Sequence, residues 1–422
     1  MRPMGRLRWK MLALMLVGTI VIYVDRNVLG VLAPILKKEL NFTTEQYSYV
    51  VSSFQLVYSF SQPVAGYLTD WIGPRIGYAV AAVIWGVAAG LHGLASGWIS
   101  MAGFRALLGL SEAVAIPTGT KMSTVWFPSQ ERSIATGWFN SGSSIGSMVT
   151  PPLVIWIYSV WGWRPAFLLT GVLGVALGIV WYWLYRDPEA HPSLGPEERA
   201  YIYSGREPPP VGAKPSIAAV LSQKRFIGII IARFLTEPAW QSFAFWIPLY
   251  MVTVRGMDIK QFALFAWLPF LFSDIGCIFG GYLAPFLHKH LRLHMVNARL
   301  SVISIGALCM VGPALISFVA DPITAILCFS LGGFAHQMLS SMMYALMGDV
   351  FEKPEIATAT GVAGMFGYLG GALFTLLVGA LANTIGFEPL FALLFAFDLV
   401  AAAVLWIFLG VGRGRVVEPA AA

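Results

Sequence analysis

Long apolar runs separated by short polar breaks occupy almost the whole chain. A bilayer core of about 30 Å needs roughly 20 consecutive apolar residues in a helix. By that measure the runs predict helices at roughly 9–34, 45–71, 75–95, 98–126, 132–158, 164–186, 225–251, 260–287, 295–318, 322–347, 356–382 and 387–411. A polar, proline-rich segment (Pro188, Pro192, Pro196, Pro208, Pro209 and Pro210) divides these twelve spans six and six. The expected organisation is therefore an N-terminal bundle over 1–186, a linker over 187–224 and a C-terminal bundle over 225–422. The linker is too short and too polar to carry a core of its own.

Composition supports an integral membrane protein. Of the 422 residues 57% are apolar and 11% charged, against the roughly 25% charged residues usual in a soluble domain. Cys277, Cys309 and Cys328 lie inside apolar runs without paired spacing, so neither a disulfide framework nor a metal site is expected. The net charge of +6 does not point to nucleic acid, because the basic residues sit in short segments between spans. Eighteen of the 27 Lys and Arg residues fall on the side of the termini and five on the other, which by the positive-inside bias predicts cytoplasmic termini. The basic start (Arg2, Arg6, Arg8, Lys10) leads into the first run without a small-residue cleavage site, so that run is expected to stay in the membrane. No His-Glu-x-x-His, Gly-x-Ser-x-Gly or phosphate loop is present, and neither an enzyme nor a cofactor is expected.

Several ionisable residues interrupt the apolar runs. A charged side chain near the bilayer centre costs about 2.5–3.5 kcal/mol even on lenient scales, and such residues commonly mark a substrate or proton pathway. The apolar stretch from Met11 to Val24 spans only about 21 Å as a helix, which places Asp25, Arg26 and Asn27 within the first span. Arg26 suits a carboxylate, because its guanidinium donates two parallel hydrogen bonds and stays charged at any relevant pH. Asp25 and Glu112 are the expected proton carriers, since changes in burial and in the distance to an Arg change a carboxylate's proton affinity. Arg105 and Glu112 are seven residues apart and share a helix face, so a permanent salt bridge between them is the structural alternative. Arg233 and Glu237, four apart, can pair within one helix. Asp274 and His336 read as lining or structural residues, and Lys121 as a side chain reaching for the interface.

Hydroxyl-rich ligands need amide, hydroxyl and aromatic partners in a concave pocket. Candidates are Tyr23, Gln55, Tyr58, Asn140, Ser141, Trp240, Gln241, Gln337, Ser341 and Tyr344, with Arg26, Arg105 and Arg233 for the anionic group. Gln55 and Tyr58, and Gln337, Ser341 and Tyr344, share faces by their spacing. Glycines Gly137, Gly142, Gly146, Gly361, Gly364, Gly367, Gly370 and Gly371 predict close helix contacts. Asp70, Arg75, Glu131 and Arg132, at helix ends on the side of the termini, read as a charge relay that holds an inner gate shut.

An internal repeat links the halves. Gly66-Tyr67-Leu68 returns as Gly281-Tyr282-Leu283, and Phe127, Glu131, Ala135-Thr136-Gly137 return as Phe351, Glu355, Ala359-Thr360-Gly361. Repeats of this kind place a site between halves near the midplane. The segment Gly66-Tyr67-Leu68-Thr69-Asp70-Trp71-Ile72-Gly73-Pro74-Arg75 resembles the loop signature between the second and third helices of the major facilitator superfamily. Tyr23-Val24-Asp25-Arg26, Arg105 to Glu112, and Trp126-Phe127-Pro128 through Asn140-Ser141-Gly142 resemble its anion:cation symporter branch. Within that branch, Tyr185-Arg186-Asp187-Pro188-Glu189-Ala190-His191-Pro192 and Pro238-Ala239-Trp240 through Phe245-Trp246-Ile247-Pro248 are most similar to bacterial hexuronate transporters. Trp71 stands where the signature usually has a basic residue, and Ala284-Pro285 where the second copy often has an acidic one.

The resemblance implies an all-α integral membrane protein of the major facilitator fold, with twelve transmembrane helices in two pseudo-symmetric six-helix halves. It implies a proton-coupled symporter that imports a hexuronate such as glucuronate or galacturonate, with the first-helix Asp25 and fourth-helix Glu112 as the proton-linked pair. Other expected cargoes of the same fold are an aldonate, aldarate, tartrate or aromatic acid, and a transporter-like nutrient sensor is the alternative of another class. The expected setting is the plasma (inner) membrane. The expected partners are the organic anion, protons and lipid, with no nucleic acid, and the protein is expected to be a monomer.

Overall fold

A computed structural model describes residues 6–127, 132–204, 221–350 and 356–410. The described chain is almost wholly helical. Its elements are α1 (Leu7–Glu39), α2 (Thr44–Ile72), α3 (Pro74–Leu91), α4 (Trp98–Glu112), α5 (Ala115–Trp126), α6 (Arg132–Trp161), α7 (Trp163–Leu184), α8 (Pro196–Ser204), α9 (Lys224–Thr253), α10 (Ile259–Phe265), α11 (Leu268–Leu291), α12 (Met295–Cys309), α13 (Val311–Ala314), α14 (Pro322–Val350), α15 (Ile356–Ile385) and α16 (Glu388–Leu409).

Ten stretches among the described residues are long and apolar enough to cross a membrane. The two remaining predicted spans, α2 and α9, have 29 and 30 residues. They are more polar because they bury Ser48, Ser52, Gln55 and Ser59, and Arg233, Thr236, Glu237 and Gln241, inside the protein. The protein is thus a multi-pass integral membrane protein.

Three predicted spans are interrupted, at 113–114, at 266–267 and after Cys309. Each break lies four or fewer residues before a proline, Pro117, Pro269 or Pro313. A proline ring clashes with the carbonyl four positions earlier and supplies no N–H to it. Pro34, Pro63, Pro151, Pro152 and Pro285, by contrast, lie inside continuous helices. The segment from Gly66 to Ile72 also departs from expectation. It forms the last turns of α2, and the turn itself is confined to Gly73, whose φ of +86° is open to glycine. Gly281-Tyr282-Leu283 likewise lies inside α11.

By internal contacts the chain divides into two compact units, Met1–Val211 with Ala244–Trp267, and Gly212–Phe243 with Leu268–Ala422. In the first unit α1 packs on α6, α2 on α4 and α3 on α7. A Cβ on Gly146 would lie 2.7 Å from the Ile20 carbonyl oxygen and one on Gly142 2.8 Å from Thr19, so only glycine permits the α1–α6 approach. Tyr78, Trp85 and Trp181 fill the α3–α7 contact, with the Tyr78 and Trp181 rings 4.2 Å apart. The last turns of α9 join this unit, where the Tyr47 hydroxyl donates to the Phe245 carbonyl at 3.0 Å and its ring meets Trp246 edge-on. In the second unit α11 and α12 pack on α14, and α12 on α16, around a core that includes Ile303, Leu339, Met343, Leu346 and Leu405. Gly370 meets the Phe234 carbonyl directly, and a Cβ on Gly371 would lie 2.8 Å from Gln241, so α15 approaches α9 as α6 approaches α1. A Cβ on Gly361, expected at such a contact, would meet no atom within 4 Å among the described residues.

Candidate functional site

The first unit gathers Tyr23, Asp25, Arg26, Gln55, Tyr58, Arg105 and Glu112. Asp25, Arg26, Gln55, Tyr58, Arg105 and Glu112 are all buried. Arg26 donates through Nε (3.0 Å) and Nη2 (2.7 Å) to Oε2 of Glu112. Its guanidinium sits 4.8 Å from the Tyr23 ring and 4.9 Å from those of Phe54 and Tyr58, an aromatic cage around a cation. Phe54 and Tyr58, four apart on α2, stack with centroids 5.4 Å apart. A small cleft opens beside the cage, lined by Met15, Thr19, Tyr23, Arg26, Tyr58 and Ile116.

The expected alternative of a lasting Arg105–Glu112 salt bridge is not what this unit adopts. Arg105 Nη1 instead donates to the Arg26 carbonyl at 3.3 Å, and its guanidinium lies 4.6 Å from Phe54 and 5.4 Å from Phe245. Its Nε and Nη2 have no hydrogen-bond acceptor among the described residues, and neither oxygen of Asp25 has a donor among them at hydrogen-bond geometry. Seven residues bring two side chains to one face, but the partner of Glu112 comes across from α1. α4 ends at Glu112, close to the break before Pro117. A carboxylate at a helix C-terminus is opposed by the helix dipole, and Arg26 offsets that opposition.

Asn27 donates to the Ser147 hydroxyl at 2.8 Å, which ties the polar trio of α1 to α6. Asn140 is exposed, and Ser141 bonds back to the Trp138 carbonyl of its own helix at 2.8 Å. Of the relay residues, Arg75 donates to the Tyr182 carbonyl at 3.0 Å and lies over that ring. The Asp70 and Arg132 side chains and Glu131 lie outside the described residues. Lys121 donates to the Thr69 carbonyl at 3.1 Å, in the last turn of α2.

In the second unit, Arg233 and Glu237 pair within α9 at 2.7 Å, both buried. Arg233 also donates to Ser340 Oγ (3.2 Å) and to the Tyr344 hydroxyl (3.1 Å), whose ring lies 4.9 Å from the guanidinium. Gln241 reaches Glu237 Oε1 at 3.4 Å. Trp240 stacks with the buried His336 and meets Phe270 edge-on. Gln337 and Ser341 are half-buried on α14, Ser341 bonding to the Met338 carbonyl.

Sequence reasoning passed over Phe54, Phe245 and Ser340. Ser340 was within reach, since it lies four residues before Tyr344 and four after His336. The adjoining face through Gln337 and Ser341 has the same helical spacing and competes with it. Phe54 shares the face of Tyr58 by the same spacing, but a phenylalanine in an apolar span carries no signal of its own.

The two units thus bury three guanidinium groups, Arg26, Arg105 and Arg233, a chemistry suited to carboxylates, beside the carboxyl groups of Asp25, Glu112 and Glu237. The sequence pattern of the Major Facilitator Superfamily matches residues 15–313. The chain belongs to the Major Facilitator Superfamily. It is 45% identical over 409 residues to the hexuronate transporter of Escherichia coli (strain K12), covering 96% of this chain and 95% of that one. It is 42% identical over 325 residues to the galacturonate transporter of Dickeya chrysanthemi, covering 76% and 94%. Among solved structures, a bacterial homologue of the human lysosomal transporter Spinster superposes with a TM-score of 0.77 at 15% identity, covering 96% of this chain and 97% of that one. At that identity the likeness speaks for the superfamily fold alone. Membership of a transport superfamily, together with the match along nearly all of both curated relatives, marks the chain as a transporter and not an enzyme.

Proposed function

We propose that this superfamily member is a proton-coupled symporter that imports a hexuronate such as glucuronate or galacturonate by alternating access of its two halves. The observation that carries the reading is the buried quartet Asp25, Arg26, Arg105 and Glu112. Fully ionised, its two cations and two carboxylates cancel. One proton on either carboxylate leaves a single positive charge, which one monoanion neutralises. Protonation thus creates the seat for the anion, and the proton and sugar acid travel together as a neutral load. Two protons per anion would carry one net charge and respond to membrane potential by about 2.3 kcal/mol per 100 mV.

Arg26 holds the substrate carboxylate, with Arg105 or Arg233 assisting. Tyr23, Gln55, Tyr58, Asn140, Ser141, Trp240, Gln241, Gln337, Ser341 and Tyr344 meet the hydroxyls and the ring. Asp70, Arg75, Glu131 and Arg132 hold the inner gate. Both termini face the cytoplasm of a bacterial-type plasma membrane, and the functional unit is a monomer. The names of the two curated relatives support the hexuronate assignment, and the similarity covers nearly the whole of each relative.

The test is uptake of labelled glucuronate into proteoliposomes under an imposed pH gradient and, separately, an imposed potential. Inward protons drive accumulation in the wild type. Asp25→Asn and Glu112→Gln lose that accumulation while exchange of labelled for unlabelled substrate survives in at least one. Competition by galacturonate, an aldonate, an aldarate and tartrate ranks the cargo. Folded protein that accumulates none of them overturns the reading.

A further inference from the structure

The cleft beside the Arg26 cage has a charged end and a neutral one. From α1 it is lined by Met15, Thr19 and Arg26, whose spacing of four and then seven residues keeps them on one helix face. Among the described residues that line it, Arg26 is the only one that carries a charge. The guanidinium lies 4.8 Å from the Tyr23 ring, about one turn nearer the start of α1, so it leans back toward Thr19. From Arg26 to Thr19 the helix rises about 10 Å, a span that a six-carbon sugar acid and the arginine side chain fill together. The Thr19 hydroxyl donates to the Met15 carbonyl at 3.1 Å, which leaves its oxygen able to accept from a cargo hydroxyl. Beyond it Met15 is buried, its methyl lying 3.1 Å from where a Cβ on Gly119 would stand, and it closes that end with an apolar group.

We propose that the neutral end of this cleft selects the cargo by charge. It takes sugar acids with one carboxylate, hexuronates and aldonates, and turns away aldarates, with Thr19 receiving the hydroxyl farthest from the carboxylate. The inference rests on the transport reading above, with the cargo carboxylate on Arg26, and adds what the other end of the cargo meets. A proton on Glu112 releases Arg26 for one carboxylate without stranding a charge. A second carboxylate would reach Thr19 and Met15, which hold no cation. Burying an unpaired charge costs far more than burying a hydroxyl that has a partner. Rejection of this kind comes from the charge left unpaired and not from a better fit to the accepted cargo. The cleft is narrow in this structure, and its walls part to admit a ring, but the residues on those walls, and so their charge, stay the same.

The experiment measures displacement of labelled glucuronate from purified full-length protein by galactonate and by galactarate at neutral pH. The two competitors are open chains of equal length that differ in one terminal group, a hydroxymethyl against a second carboxylate. In the wild type galactarate competes at least about tenfold more weakly than galactonate. Thr19→Val keeps the shape that packs on Gly142 and removes the acceptor. Its Kd for glucuronate and galactonate rises about three- to tenfold, as for one lost hydrogen bond, with the melting temperature unchanged, and Thr19→Ser restores both. Met15→Lys, which replaces one unbranched side chain by another of similar length, sets an ammonium at the closed end. There the Kd for galactarate falls about tenfold while that for galactonate does not fall. If that variant fails to fold, the wild-type ratio and Thr19→Val still decide. Galactarate that matches galactonate in the wild type overturns the proposal, as does a Met15→Lys protein that binds glucuronate yet moves both competitors alike. Thr19→Val with every Kd unchanged overturns it as well. Those results leave the carboxylate seat at Arg26 in place. Protein that binds no sugar acid at all removes that seat and the transport reading, and the selection with them.

Discussion

Two of the buried arginine–glutamate pairs among the described residues, Arg26–Glu112 in the first unit and Arg233–Glu237 in the second, solve the same electrostatic problem in different ways. Arg233 and Glu237 are one turn apart on α9 and can meet whatever the neighbouring helices do. Arg26 and Glu112 are 86 residues apart, on α1 and α4, and meet only while those helices keep their present register. The first pair is set by the helical spacing alone, because both partners ride on one helix. The second reports on packing, because any shift of α1 against α4 lengthens it. A carrier that changes conformation around a bound anion needs both kinds. One pair stays together as its helix moves, and the other links charge to helix position.

The strongest test of this contrast is to remove each arginine. Arg26→Ala strips Glu112 of both hydrogen bonds from its partner and leaves a buried carboxylate alone, a loss of about 3–5 kcal/mol. Arg233→Ala leaves Glu237 with Gln241 still in reach, and the loss is smaller. Thermal unfolding in detergent and glucuronate uptake follow the same order, with Arg26→Ala the more damaging. A double-mutant cycle at Arg26 and Glu112 gives a larger coupling than one at Arg233 and Glu237. Equal couplings would dissolve the distinction between a packing-dependent and a local pair.

A smaller effect separates the surroundings of the two cations. Arg26 has three rings around it and Arg233 only Tyr344 among the ring contacts described. Tyr58→Leu removes one wall of the Arg26 cage and costs about 0.5–2 kcal/mol, read as a several-fold rise in substrate Kd. Tyr58→Phe keeps the ring face and most of the affinity. If Phe and Leu weaken binding alike, the tyrosine hydroxyl and not the cage carries the effect.

The smallest effect acts away from both pairs. Thr43 caps α2, accepting from the Gln46 N–H while Gln46 reaches back to the Thr43 N–H, both at 3.0 Å. Thr43→Ala lowers stability by about 1 kcal/mol with glucuronate Kd unchanged. A shift in Kd would mean that the start of α2 is coupled to the aromatic cage further along the same helix.

The site was legible from the sequence to the extent that its parts were local. Arg233 with Glu237, Gln55 with Tyr58 and the polar trio at Asp25 follow from helical spacing and from the cost of charge in lipid. The partner of Glu112 was not legible. Arg105, on the same face of the same helix, was the local candidate, and nothing in the one-dimensional pattern ranks Arg26 above it. Helix continuity was equally ambiguous. Pro117, Pro269 and Pro313 coincide with breaks whereas Pro34, Pro63 and Pro285 do not, because neighbouring helices decide whether a lost hydrogen bond is tolerated.

The sequence by itself determined the long apolar helices and the presence of charges that lipid cannot accept, since hydrophobic length and helical period are properties of contiguous residues. Only the tertiary structure decided that Arg26 and not Arg105 neutralises Glu112, and that Phe54 and Phe245 lie over Arg105. Those facts depend on which helices touch and at what depth. Side chains dozens of residues apart find each other through packing, and contiguous sequence does not encode that distance.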